Sequence, residues 1–104
     1  MIVVTTETVP GRDILEAVGV ARGSTVRARN VGRDIVANLK SLVGGEISEY
    51  TQLLADARES ALQRLMEDAK RMGADAVVNV RFSTSAVMQG AAEILAYGTA
   101  VKLR

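Results

Sequence analysis

The stretch LVGGEISEYTQLLADARESALQRLMEDAKRMGADAVV, from Leu42 to Val78, decides the fold. Its Gly44–Gly45 pair ends an apolar helical segment, because glycine takes the left-handed conformation that closes a helix at the least steric cost. A second helix is predicted over residues 48–72, with Ser48 as its N-cap and Gly73 after its last turn. At 1.5 Å per residue this helix is about 36 Å long, roughly twice the length of an average strand.

The apolar positions of the long helix cover more than half of its circumference, whereas about 100° is enough to contact one sheet. Leu62 and Met66 lie well away from the line through Tyr50, Leu54 and Ala61. We therefore expect this helix to contact a second partner, most simply another copy of the chain. The apolar positions are Tyr50, Leu53, Leu54, Ala57, Ala61, Leu62, Leu65, Met66, Ala69 and Met72.

Two extended segments precede the helices. Ile2–Thr5 is β-branched and leads to a turn at Pro10–Gly11. Asp13–Arg22 alternates in the manner of a strand, Gly23–Ser24 is expected to break it, and residues 25–28 continue in extended form. One face of the strand is predicted to carry Ile14, Glu16, Val18 and Val20, and the other Leu15, Ala17, Gly19 and Ala21.

A shorter helix is predicted from Asn30, with Val31, Ile35 and Leu39 at helical spacing. Two strands are predicted to follow the long helix and to form an antiparallel hairpin. The first is predicted to place Ala76, Val78, Val80 and Phe82 on one face, and Val77, Asn79, Arg81 and Ser83 on the other. The second is predicted to place Leu95, Tyr97, Thr99, Val101 and Leu103 on one face, and Ile94, Ala96, Gly98 and Ala100 on the other.

The order β-β-α-α-β-β predicts one α+β domain over residues 1–104, a two-layer antiparallel sheet packed under one short and one long helix. Gly98 within a strand indicates a bulge or a close backbone approach. The face of the sheet away from the helices would carry either Val77 with Asn79 and Arg81, or the small residues of the last strand. Either set favours an interface between subunits over bare surface.

The composition disfavours several classes of function. Thirteen basic and twelve acidic residues give a net charge of +1, which favours neither nucleic acid nor an anionic membrane. The chain has no cysteine and no histidine, so thiolate and imidazole chemistry are both absent. No apolar run approaches the roughly 18 residues of a spanning helix, and residues 1–11 lack the pattern of a signal peptide. We expect a cytoplasmic protein without a cofactor.

The glycine pair, Tyr50, Ala57–Arg58 and the block Gly73–Ala76 resemble the YbjQ-like proteins, an uncharacterised family also labelled "putative heavy-metal-binding". The resemblance extends from the first strand to the final GTAVKL, residues 98–103. It implies a dodecin-like subunit assembled into a homopentamer, and it implies no catalytic residue.

Two groups of residues are candidate sites. Arg29 and Arg33 flank a helix N-terminus, where Gly32 would let an anion approach free N–H groups. Alternatively, these arginines pair with acids of another subunit or are solvated. Asn79, Arg81 and Tyr97 form either a polar pocket or a set of hydrogen bonds across an interface.

No metal ligand set is predicted. Without cysteine or histidine the chain suits only hard ions, and its acidic residues lack the spacing of a calcium loop. The leading hypothesis is a homo-oligomer without a catalytic site. The alternative is an oligomer that binds a small ligand, an anion or a metal ion at its subunit boundaries.

Overall fold

Four strands and one helix make up the described part of this computed structural model, which comprises residues 1–28, 48–88 and 91–104. The strand order is β1-β3-β4-β2, with β1 parallel to β3 and the other two pairs antiparallel. The α+β class is confirmed, although β1 makes the sheet mixed at one edge. The predicted helix from Asn30 and the Gly44–Gly45 pair lie outside the described residues. The elements are β1 (Ile2–Val3), β2 (Ile14–Ala28), α1 (Ser48–Arg71), β3 (Ala76–Met88) and β4 (Ala91–Leu103).

Helix α1 has the predicted bounds to within one residue. Its sheet-facing side consists mainly of small residues and is fully buried along Ala57, Ala61, Leu65 and Ala69. Gly73 ends the helix with φ +79°, donating from its N–H to Lys70 O (3.0 Å) while Ala74 N–H donates to Ala69 O (3.1 Å). This paired closure is the one that a left-handed glycine permits.

Strand β2 runs without interruption through Gly23–Ser24, so the predicted break is wrong. Gly23 instead faces α1, and a β-carbon there would meet helix backbone, including the Arg64 carbonyl carbon at 2.7 Å. The glycine is needed for close approach of the helix, not for a turn. The glycine predicted to break β2 therefore lies within the strand, where it lets the helix backbone come close.

The predicted face of β2 is also wrong, because an irregularity lies between Ala17 and Gly19. Val18 packs against the core beneath α1, whereas Val20 pairs with Thr99 on the opposite face and is 57% exposed. One extra residue in a strand reverses the alternation beyond it.

The same effect changes the faces of β3. The register passes from Val78 directly to Arg81, which leaves Asn79 and Val80 opposite Gly98. Asn79 has φ 55°, the left-handed conformation found at some bulges. Ala76 and Val78 therefore pack on the face away from α1, while Val80 packs beneath the helix. The prediction that all four alternate apolar residues of β3 share a face is wrong.

Strand β4 shows its predicted alternation. Ile94, Ala96 and Ala100 are buried beneath α1, and Gly98 lies so close to β3 that a β-carbon would stand 2.8 Å from Val78 O. The indication of a bulge or close approach at Gly98 is thus confirmed. The small-residue face is covered by the helix of the same chain, so the expectation that it lies between subunits is wrong.

Among the described residues, the outer face, which is the side of the sheet away from α1, is covered at one end. There Val9 packs with Ala76, Val78, Val101 and Leu103, because the segment between β1 and β2 crosses this face. Pro10–Gly11 forms the predicted turn, in which Arg12 N–H donates to Val9 O at 3.0 Å and Gly11 has φ +82°. Within the described residues, no helix has the length and apolar character needed to cross a membrane.

Candidate functional site

The two predicted site clusters have different outcomes in the structure. Arg29, Gly32 and Arg33 lie outside the described residues, so the anion-site hypothesis stays a prediction. Arg81 and Tyr97 are direct cross-strand neighbours on the outer face. Asn79 lies in the bulge, where its N–H donates to Thr6 O at 2.9 Å. The structure therefore pairs two of the three polar residues and gives the backbone of the third a structural role.

Arg22, Tyr97 and Arg81 form a row across three strands. Tyr97 in β4 pairs with Arg22 in β2 on one side and with Arg81 in β3 on the other. Side chains of directly paired residues project from the same face of a sheet. The phenol ring, 39% exposed, thus lies between two arginine positions on the open part of the outer face.

A depression of about 280 Å³ lies on this row and is lined by Val20, Arg22, Leu95 and Tyr97. The alternation of β4 predicts that Leu95 and Tyr97 share one face, but it does not bring them together with Val20 and Arg22 of β2. The missing information was the register of β2 against β4, which pairs residues about 75 positions apart.

Arg22 is tied to α1 through its backbone. Its N–H donates to an Asp68 carboxylate oxygen at 3.0 Å, and Arg71 donates to the other oxygen at 3.2 Å. The pKa of Asp68 is lowered chiefly by the bond from the Arg22 N–H, then by Arg71, against the opposing effect of burial. Arg64 donates to the Ser24 carbonyl on the same strand. These polar side chains of α1 protect the backbone of β2, which is an edge strand.

The depression has the chemistry of a binding surface. Two aliphatic residues, a tyrosine and an arginine line it, and neither a carboxylate nor an imidazole is among the four lining residues. General acid–base catalysis commonly depends on such groups. An apolar surface with one cationic group can instead desolvate the apolar part of a ligand and orient its anionic end.

Sequence comparison identifies the family of this chain. The model of the YbjQ family, described as "Putative heavy-metal-binding", matches residues 1–104. A "UPF0145 protein" of Archaeoglobus fulgidus is 64% identical over 104 residues, covering 100% of this chain and 96% of the relative. Another "UPF0145 protein", of Methanoculleus marisnigri, is 65% identical over 103 residues, covering 99% and 96%. The chain belongs to this uncharacterised family.

Structural comparison extends the likeness of fold further. A crystal structure of a protein of unknown function from Pediococcus pentosaceus, assigned to the DUF74 family, superposes with a TM-score of 0.66. The match covers 100% of this chain and 98% of the other, at 17% sequence identity. Identity this low supports the shared fold alone.

The heavy-metal description does not fit the donor groups of this chain. Soft and borderline ions such as Cu⁺ and Zn²⁺ are held by thiolate or imidazole, and the sequence contains neither cysteine nor histidine. Within the described ranges, acidic residues form no group of three that could hold an ion. Methionine sulfur is the only soft donor left, and of the four methionines Met72 packs against the core beneath α1.

Proposed function

We propose that this protein is a non-catalytic homo-oligomer, a ring of five subunits that assemble through the side of α1 facing β3. Five is the number implied by the resemblance to the YbjQ-like family. The observation that carries the proposal is an apolar ledge, defined as Leu62 and Met66 of α1 together with Phe82 of β3. We infer a cytoplasmic location from the composition.

The ledge exists because α1 lies mainly over β2 and β4 rather than over β3. Around the helix axis, at 100° per residue, the side chains of Asp68 and Arg64 lie about 40° and 80° to one side of Leu54. Both bond to β2. On the same scale Leu62 and Met66 point about 80° and 120° to the other side, toward β3. Both are half-buried, so the helix presents a second apolar flank after its sheet contact is complete.

Phe82 continues this flank on the sheet. It pairs with Ala96, which is buried beneath α1, so Phe82 projects from the helix-facing side. The helix packs mainly over β2 and β4 and leaves Phe82 44% exposed. In a single chain less than half of this residue is exposed, so its further burial would contribute only part of the about 1.5–3 kcal/mol for full burial of a phenylalanine side chain.

The backbone of β3 provides a second reason for association. β1 pairs only with Ala76 and Val77, and residues 81–86 of β3 form a free edge among the described strands. All six of these residues are exposed. An exposed edge strand beside an apolar side chain is a template for pairing with another chain.

Light scattering tests the proposal at micromolar concentration. Five copies of the 11.0 kDa chain would give about 55 kDa. Phe82→Ser and Met66→Glu should each shift the mass toward the monomer, whereas Leu15→Ser, which changes a 55% exposed residue outside the ledge, should not. A stable monomer for the parent protein would refute the assembly, and a mass of four or six copies would refute the ring of five.

A second candidate function is the binding of a small ligand. The depression at Tyr97 favours it, since the lining combines apolar surface with a cationic group. Binding and assembly use different faces of the sheet, so the two functions are compatible.

A further inference from the structure

We propose that the depression formed by Val20, Arg22, Leu95 and Tyr97 binds a small organic monocarboxylate with an apolar body. The Arg22 guanidinium would hold the carboxylate, and the aliphatic side chains and the phenol ring would cover the rest of the ligand. This inference rests on the second candidate function, the binding of a small ligand at this depression. All four residues belong to one chain, so it does not require the proposed assembly.

The Arg22 guanidinium has no hydrogen-bond partner among the described residues. The side chains of Arg12, Arg64, Arg71 and Arg81 donate hydrogen bonds to backbone carbonyls or to Asp68. The guanidinium of Arg22 donates none to any residue in the described ranges, and only its backbone N–H is bonded. An arginine beside apolar surface without an internal partner is suited to bidentate binding of a carboxylate.

Asp68, the acid that the backbone of Arg22 contacts, is bonded to donors other than the Arg22 guanidinium. The Asp68 carboxylate already accepts from the Arg22 N–H and from Arg71. Among the described residues, the Arg22 guanidinium itself forms no hydrogen bond with Asp68 and is therefore available to an external anion.

The residues that line and surround the depression define the class of anion. Two aliphatic residues and a ring line the depression, so a fully solvated anion such as phosphate would leave this surface unused. Arg81 adds positive potential beside Tyr97, although its own guanidinium donates to Thr5 O and Val80 O. Glu93 lies on the same face, one alternation beyond Leu95, and disfavours a second negative charge on the ligand.

The volume of the depression guides the choice of ligand size. Its volume of about 280 Å³ lies just below the range of roughly 300–1,000 Å³ found for sites of drug-sized molecules. A short fatty acid or a simple aromatic acid matches this volume. We therefore use hexanoate as the probe and its neutral counterpart, hexanamide, as the comparison.

Tyrosine fluorescence gives a local readout. The chain has no tryptophan and two tyrosines, so a Tyr50→Phe background leaves Tyr97 as the reporter. Hexanoate should produce a saturable change, and hexanamide should bind at least tenfold more weakly. In this background Arg22→Met should weaken hexanoate binding at least tenfold and Arg22→Lys less, because lysine keeps the charge without the planar fork.

The matched control is Lys70→Met, which removes the same charge from an exposed position on α1 and should change the affinity by less than twofold. Calorimetry with the full-length parent protein provides a second readout. Equal affinity for hexanoate and hexanamide, tighter binding of inorganic phosphate, unaltered binding by Arg22→Met, or no saturable binding at all would each overturn the proposal. The mass of the assembly, measured on the same samples, shows separately whether the oligomer hypothesis holds.

Discussion

Gly23→Ala tests how closely α1 approaches the sheet. A methyl group at this position would stand 2.7 Å from the Arg64 carbonyl carbon, and closer still to Leu65 N and Ala61 O. All three atoms belong to the helix backbone, so no change of side-chain rotamer relieves the overlap. To reach the 3.4 Å of an ordinary contact, the helix must retreat by more than about 0.7 Å, because Leu65 N and Ala61 O are closer than the Arg64 carbon.

The cost of this retreat has two parts. A gap of this size loses about a quarter to a half of the dispersion energy along the buried side of α1, consistent with a cost of about 1–3 kcal/mol for overpacking. It also stretches the bond from Arg22 N–H to Asp68, now 3.0 Å, beyond hydrogen-bonding distance. Discounted for partial exposure, that loss adds about 1 kcal/mol. We expect a total near 3 kcal/mol.

Thermal unfolding followed by circular dichroism is the appropriate assay. For a domain of this size 3 kcal/mol corresponds to a fall in Tm of about 10–20 °C. Protein concentration must be held constant, since the stability of an oligomer depends on it. Ser24→Ala, one residue further on, is the control and should stay within about 0.5 kcal/mol of the parent. A Gly23→Ala protein that melts within about 2 °C of the parent would refute the close approach.

Three further predictions follow from individual residues. Because the pKa of Asp68 is lowered in the folded protein, its carboxylate stabilises the fold at any pH above its pKa in the unfolded chain. This stabilisation is lost as the pH falls through the pKa of the folded state, so in acid denaturation Asp68→Asn should lose less stability than the parent below about pH 4. Calorimetry with Zn²⁺ or Cu²⁺ should detect no stoichiometric sub-micromolar site, because cysteine and histidine are absent. At Asn79, where φ is 55°, urea titration should show Val costing about 1–3 kcal/mol and Gly less than about 0.5 kcal/mol.

The long helix could be predicted because the signals that define it are local. Ser48 and Gly73 mark its ends, and the spacing of Ala57, Ala61 and Leu65 marks its buried side. The faces of β3 could not be predicted in the same way. Their reversal depends on the bulge at Asn79, which lies opposite Gly98, and no pattern within residues 76–88 reveals that pairing.

In the candidate site, too, the pairing within one hairpin could be predicted and the long-range pairing could not. The sequence predicts that Asn79, Arg81 and Tyr97 come together, and the structure pairs two of them, Arg81 and Tyr97, which lie on the two strands of one hairpin. Val20 and Arg22 reach the site from β2, which joins β4 only through long-range pairing. The irregularity at Val18 then turns Val20 to the outer face, so neither the pairing nor the orientation could be read from the local alternation.

Both proposed surfaces depend on where α1 lies across the sheet. Gly23 allows the helix backbone to come close to β2, and Asp68 and Arg64 hold it there by bonding to that strand. A helix fixed over β2 and β4 cannot also cover the end of β3, so Phe82 and the free edge beside it stay exposed. On the outer face, the crossing segment at Val9 covers one end of the sheet, and no other described segment covers the row at Tyr97. Assembly at the ledge would therefore leave the depression accessible to a ligand.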